Sequence, residues 1–241
     1  MLERFRDFWQ GVVLMPFVRL FIRLGISPDT VTFVGTLGVC VGALVFFPLG
    51  HLLVGVLFIT AFVFSDLIDG KMARTLGRSS KFGSFWDSSL DRFGDGAIFG
   101  GLVLYFAGPG DSYLYLCVAL YCLVMGSITS YLRAKAESLG MDAKGGLAER
   151  SDRLVSILVM TGLSAIFDLP ILMYVTLWAL VAANTYTVIF RILKVRRQAV
   201  AIDAAAAEAM AAQGIAEPSA AGSPGTGIGS DHDGHDEHRT D

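Results

Sequence analysis

The chain has 241 residues, 54% of them hydrophobic and only 17% charged. A water-soluble domain of ordinary composition carries about 25% charged residues, so this balance excludes one and points to an all-α integral membrane bundle. The net charge of -3 says little by itself, because the charges are segregated along the chain, and nothing in their pattern suggests a nucleic-acid partner.

Residues 1–25 come first and read as an amphipathic helix. Phe5, Phe8, Trp9, Val12, Val13, Phe17 and Leu20 recur near helical spacing, with Arg4, Arg6, Arg19 and Arg23 on or near the polar side. That pattern predicts a helix lying in the membrane interface. Arg19 and Arg23 interrupt the apolar stretch and no small-residue cleavage site follows, so no cleavable leader is expected. Ser27-Pro28-Asp29-Thr30-Val31-Thr32 then offers Ser27 or Asp29 as a helix cap, with Pro28 in the first turn.

About six apolar segments follow, near 31–49, 52–73, 83–107, 112–134, 153–169 and 171–193; a spanning helix needs about 20 predominantly apolar residues. Breaks are expected at Phe47-Pro48-Leu49-Gly50, from Arg74 to Lys81, at Gly108-Pro109-Gly110-Asp111, from Glu137 to Asp152 and at Asp168-Leu169-Pro170. The connections near 48–52, 107–113 and 166–171 contain no Lys or Arg. The opposite side carries Arg74, Arg78, Lys81, Arg133, Lys135, Lys144, Arg150, Arg153, Arg191, Lys194, Arg196 and Arg197. The positive-inside rule therefore puts both termini and these connections in the cytoplasm of a multi-pass plasma-membrane protein. Residues 1–199 form the membrane domain in this reading. Residues 200–241, Ala-rich and then dominated by Gly, Ser, Asp and His, form a disordered tail; its His232, His235 and His238 read as part of a solvated acidic segment. Cys40, Cys117 and Cys122 lie in apolar runs without redox or metal-ligand spacing, and no disulfide is expected.

The informative stretch is SDLIDGKMARTLGRSSKFGSFWDSSLDR, residues 65–92. Asp66 and Asp69 are three apart and Asp87 and Asp91 four apart, so each pair shares a helical face. The segment from Thr75 to Phe82 joins the two helices, allowing both pairs to converge at one depth. Four uncompensated carboxylates in a membrane bundle are very costly. Arg74 and Arg92 supply some compensation; a divalent cation does it better, since hard cations prefer carboxylate oxygens. Gly70, Ala73 and Gly83 leave room for a close approach to the backbone. The remaining basic cluster, Lys135, Arg150, Arg153 and Arg191, suits an anionic ligand, because Arg and Lys bind phosphate oxygens directly.

Residues 66–91 resemble the signature of the CDP-alcohol phosphatidyltransferase family, Asp-x2-Asp-Gly-x2-Ala-Arg-x8-Gly-x3-Asp-x3-Asp. Asp66, Asp69, Gly70, Ala73, Arg74, Gly83, Asp87 and Asp91 match it at every position. The resemblance implies a six-helix membrane fold and a homodimer. It implies Mg2+ or Mn2+, two ions, on Asp66, Asp69, Asp87 and Asp91, with Asp91 also accepting the proton of the attacking hydroxyl. It implies contacts to CDP-diacylglycerol from Gly70, Ala73, Arg74, Ser80 and Gly83, and from Asp29, Thr30, Val31 and Thr32. SYLRAKAESLGM followed by GGLAERSDRL further resembles the actinobacterial phosphatidylinositol phosphate synthases. That likeness implies 1D-myo-inositol 3-phosphate as acceptor, held by Lys135, Arg150, Arg153 and Arg191. A sibling enzyme using glycerol 3-phosphate would share the aspartates and a basic pocket. A divalent-cation transporter is disfavoured, because the acids cluster toward one side instead of at the bilayer midplane.

Overall fold

The computed structural model describes residues 15–75 and 81–212, apart from the side chains of Phe17, residues 64–71, residues 73–75 and residue 211. The described residues form helices without strands: α1 (Met15–Arg23), α2 (Pro28–Val41), a π-helical turn (Gly42–Phe46), α3 (Leu52–Thr75), α4 (Lys81–Ala107), α5 (Tyr113–Ser138), α6 (Arg150–Phe167) and α7 (Ile171–Ala212). Each end follows from local chemistry. At the start of α2, Ser27 Oγ accepts from the Thr30 backbone N–H at 3.2 Å, and Pro28, which has no N–H to lose, opens the first turn. Helix α6 stops where Asp168 turns left-handed (φ 53°) just ahead of Pro170. The turns after α2, α4 and α6 fall where the Gly and Pro clusters predict them.

Helix α3 packs against α1, α2 and α6, and α4 packs against α2 and α5. The core between them contains Phe47, Ile59, Phe99, Leu102, Ile157 and Leu177, all essentially inaccessible. Tyr115 of α5 stacks on Tyr174 of α7 with ring centroids 3.9 Å apart. Leu37, Leu57, Phe93, Val124, Val155 and Ile189 are exposed around the outside. Such an apolar exterior suits lipid. Because lipid tails are as apolar as these side chains, close packing holds the helices together more than expulsion of apolar surface does.

Among the described residues three helical stretches are long and apolar enough to cross a membrane: Pro28–Phe46, Tyr113–Ser138 and Ile171–Met210. The shorter Leu52–Val63 is the apolar part of α3. Helices α4 and α6 are diluted by the charged residues described below. Helical throughout its described elements, the molecule is a membrane protein.

The chain divides into two units, Met1–Gln198 and Ala199–Asp241. The tail expected to be disordered from residue 200 instead begins as helix and stays helical to Ala212. Its run of alanines, the strongest helix formers, accounts for that correction. Residues 213–241, with His232, His235 and His238, lie outside the described residues, as do residues 1–14 of the expected interfacial helix.

Candidate active site

The aspartate motif lies at the end of α3 and the start of α4. Asp66 and Asp69 belong to α3, with Gly70, Ala73 and Arg74 in its last two turns. The side chains of all five lie outside the described residues, and so does Ser80. On α4, Gly83, Asp87 and Asp91 follow one another at intervals of one turn. Asp87 is exposed and Asp91 half-buried. Their carboxylates, one turn apart on one helix, supply the hard oxygen donors that Mg2+ or Mn2+ takes. Among the described residues no group of three His, Cys, Asp or Glu side chains is placed to hold a metal, since the other two aspartates of the expected set fall outside them.

The segment from Ser27 to Thr32 lies beside this motif. Val18, Val31 and Met72 form one small buried cluster joining α1, α2 and α3. Met72 sits inside the Asp-Gly-x2-Ala-Arg run, so Val31 is pinned against that run. Val31 and Thr32 are buried; Thr32 donates to the Pro28 carbonyl at 3.1 Å. Asp29 is half-buried and Thr30 exposed.

An ionic network that the motif did not forecast surrounds Asp91. Arg150, the first residue of α6, places Nη2 2.9 Å from Asp91 Oδ1 and donates from Nε to Asp95 Oδ1 at 3.0 Å. Arg153, one turn further along α6, donates from Nη2 to Asp95 Oδ2 at 2.8 Å. Arg92 Nη1 lies 3.6 Å from the same oxygen and also donates to Ser130 Oγ of α5. Arg153 is 1% exposed, which no membrane-side lysine or arginine tolerates without a partner. Asp95 is that partner. Sequence reasoning passed over Asp95; the available signal was its position four residues beyond Asp91 in an apolar helix, on the same face.

Helix α5 collects the cations from the other side. A Cβ on Gly126 would lie 3.0 Å from Arg153 Cζ, so glycine is what lets the guanidinium lie flat on this helix. One turn on, the Thr129 carbonyl accepts from Arg191 Nη1 at 2.7 Å, while Arg191 Nε donates to the Gly145 carbonyl at 3.1 Å. Arg191 is 3% exposed. Arg153 and Arg191 thus lie against one face of α5, while Arg150 is held to α4 by Asp91 and Asp95. Lys135 is exposed near the end of α5.

The α5–α6 connection is tied to α7. Thr187 Oγ1 accepts from the Leu147 and Ala148 N–H groups at 3.1 Å each. Lys194 donates to Asp142 Oδ2 at 2.8 Å and to the Lys144 carbonyl at 2.9 Å. The Lys194 hydrogen bond, followed by one from the Lys144 N–H, holds the Asp142 carboxyl below its ordinary pKa. Beside Asp91 and Arg150 opens a cavity of about 190 Å³, walled by Val39, Val63, Ile98 and Leu158 among others. Asp91 and Arg150 supply its charged lining, and most of the remaining wall is apolar.

Residues 25–183 match the family described as CDP-alcohol phosphatidyltransferase. Over 220 residues the chain is 46% identical to the phosphatidylinositol phosphate synthase of Streptomyces avermitilis, covering 89% of this chain and 90% of that one. It resembles the crystal structure of Mycobacterium tuberculosis phosphatidylinositol phosphate synthase with CDP-DAG bound, with TM-score 0.72, 36% identity and coverage of 76% of this chain and 93% of that one. A crystal structure of the same mycobacterial enzyme in complex with manganese and citrate gives TM-score 0.71 at 36% identity, covering 76% and 88%.

Proposed function

The chain belongs to the CDP-alcohol phosphatidyltransferase family, and from that premise we propose that it transfers the phosphatidyl group of CDP-diacylglycerol to 1D-myo-inositol 3-phosphate, giving phosphatidylinositol phosphate and CMP. The observation that carries this reading is Arg150 reaching Asp91 at 2.9 Å while Arg153 is gathered through Asp95. An acceptor whose phosphate lies on these guanidiniums has its hydroxyl close to the carboxylate that takes its proton.

The acceptor oxygen attacks the phosphorus bonded to diacylglycerol, the bond from that phosphorus to CMP breaks, and the hydroxyl proton passes to Asp91. A base in this place contributes about 10²–10⁴-fold. Asp66, Asp69, Asp87 and Asp91 hold two ions, Mg2+ or Mn2+. Bound metal neutralises charge on the pyrophosphate and on the departing CMP. Gly70, Ala73, Arg74, Ser80 and Gly83 line one side of the CDP group, and Asp29 to Thr32, braced through Met72, the other. The apolar walls beside Asp91 take lipid chain. Arg150, Arg153 and Arg191 hold the acceptor phosphate, with Lys135 at its edge. The family fold extends this to six spans with an interfacial first helix, a homodimer, and a site facing the cytoplasm at the plasma membrane.

The test is headgroup transfer by the purified protein with CDP-diacylglycerol and Mg2+, comparing inositol phosphate, glycerol 3-phosphate and free inositol. Strong preference for inositol phosphate is expected. Preference for glycerol 3-phosphate would overturn the acceptor assignment and leave the aspartate chemistry standing.

A further inference from the structure

We propose that Asp95 is a positioning residue for the acceptor phosphate: it fixes Arg150 in the orientation that receives the phosphate. This rests on the acceptor reading above.

Asp95 sits one helical turn beyond Asp91 on α4 and is buried. Both of its oxygens are already occupied by arginines: Oδ1 by Arg150 Nε at 3.0 Å, Oδ2 by Arg153 Nη2 at 2.8 Å and by Arg92 Nη1 at 3.6 Å. With both oxygens on guanidiniums and a place outside the Asp66, Asp69, Asp87 and Asp91 set, Asp95 reads as part of the arginine scaffold. Three guanidiniums, Arg92, Arg150 and Arg153, face two carboxylates, Asp91 and Asp95. The cluster therefore keeps a surplus positive charge, and an anion completes it.

The geometry of Arg150 assigns the role. Its Nε is turned to Asp95 and its Nη2 to Asp91. Among the described residues its Nη1 has neither hydrogen bond nor ion pair. The guanidinium is planar, so fixing Nε fixes the direction of Nη1 as well. Arg150 is about one-third exposed and borders the cavity beside Asp91, so an incoming phosphate has access to it. Arg153 has far less freedom. It is buried, its Nη2 is held by Asp95, and its flat face rests on Gly126. If Asp95 is neutralised, Arg150 is the group released.

Asp95→Asn is the informative change. It keeps the shape, but its amide carries an NH2 where the carboxylate had an acceptor, and set against a guanidinium this is donor facing donor. The wild type and Asp95→Asn are assayed with varied inositol phosphate at saturating CDP-diacylglycerol, and with the two reversed. The expected result is a rise of about tenfold or more in KM for inositol phosphate, the size of one lost charge-assisted hydrogen bond, with KM for CDP-diacylglycerol within about twofold of wild type. Arg150→Gln is made alone and with Asp95→Asn. Because Asp95 acts through Arg150, the double variant is expected to be no worse for the acceptor than Arg150→Gln alone. Asp95→Glu, which restores the charge, is expected to recover part of the loss; it also serves as the test variant if Asp95→Asn does not accumulate folded. Additive losses in the double variant, or equal damage to both KM values, would overturn the proposal. Absence of inositol phosphate turnover in the wild type would sink the acceptor reading itself, which keeps the two failures apart.

Discussion

Replacing Gly146 by alanine tests whether the α5–α6 connection holds the acceptor arginines in place. Gly146 has φ +125°, and a Cβ there would run into Thr187 Cγ2 and lie 2.9 Å from its Oγ1. Thr187 is fully buried and accepts the Leu147 and Ala148 N–H groups, so it has no room to retreat without losing both. Backbone strain costs about 1–3 kcal/mol and each lost hydrogen bond about 0.5–1.5 kcal/mol, about 2–6 kcal/mol together. Gly145, whose carbonyl receives Arg191 Nε, is the preceding residue, and Arg150 follows four residues later. The perturbation therefore reaches two of the arginines proposed to bind the acceptor phosphate. Gly140→Ala is the control. It has φ +74° but nothing within 4 Å of the added Cβ, so only the left-handed conformation is penalised, at about 1–2 kcal/mol. Thermal unfolding in detergent and KM for inositol phosphate are measured for both. Gly146→Ala is expected to unfold at lower temperature than Gly140→Ala and to raise the acceptor KM about tenfold or more. A Gly146→Ala protein matching Gly140→Ala in unfolding, with wild-type KM, would refute the reasoning.

Other outcomes are open to direct measurement. Asp91→Asn should abolish turnover, by about 10²–10⁴-fold through loss of the base, in a protein that still inserts and purifies normally; substantial remaining activity removes Asp91 from that role. Gly126→Ala pushes on Arg153, which Asp95 holds in place. Overpacking costs about 1–3 kcal/mol, so the acceptor KM should rise at least several-fold with the CDP-diacylglycerol KM unchanged, as steady-state kinetics will read. Chelation should stop transfer and Mg2+ or Mn2+ restore it; Asp87→Asn should raise the metal concentration needed for half-restoration, and an unchanged titration would remove Asp87 as a ligand.

What the sequence determined by itself was local. Asp66 and Asp69, Asp87 and Asp91 were readable as facing pairs because helical periodicity alone relates residues three and four apart. The breaks after α2, α4 and α6 were readable because Gly and Pro act on their own backbone, and Ser27 was readable as a cap for the same reason. The apolar composition alone identified a membrane bundle. Tertiary structure decided what depended on residues far apart in the chain. Asp95 meets Arg150 and Arg153 across 55 and 58 residues, and no spacing rule links an aspartate in one helix to arginines at the start of another. In sequence Arg153 and Arg191 were readable as cations of a candidate acceptor pocket, but not as buried ones. Their burial, against Gly126 and the Thr129 carbonyl of α5, exists only once three helices are packed, because the desolvation that makes a cation need a partner is a property of its surroundings and not of its neighbours in sequence.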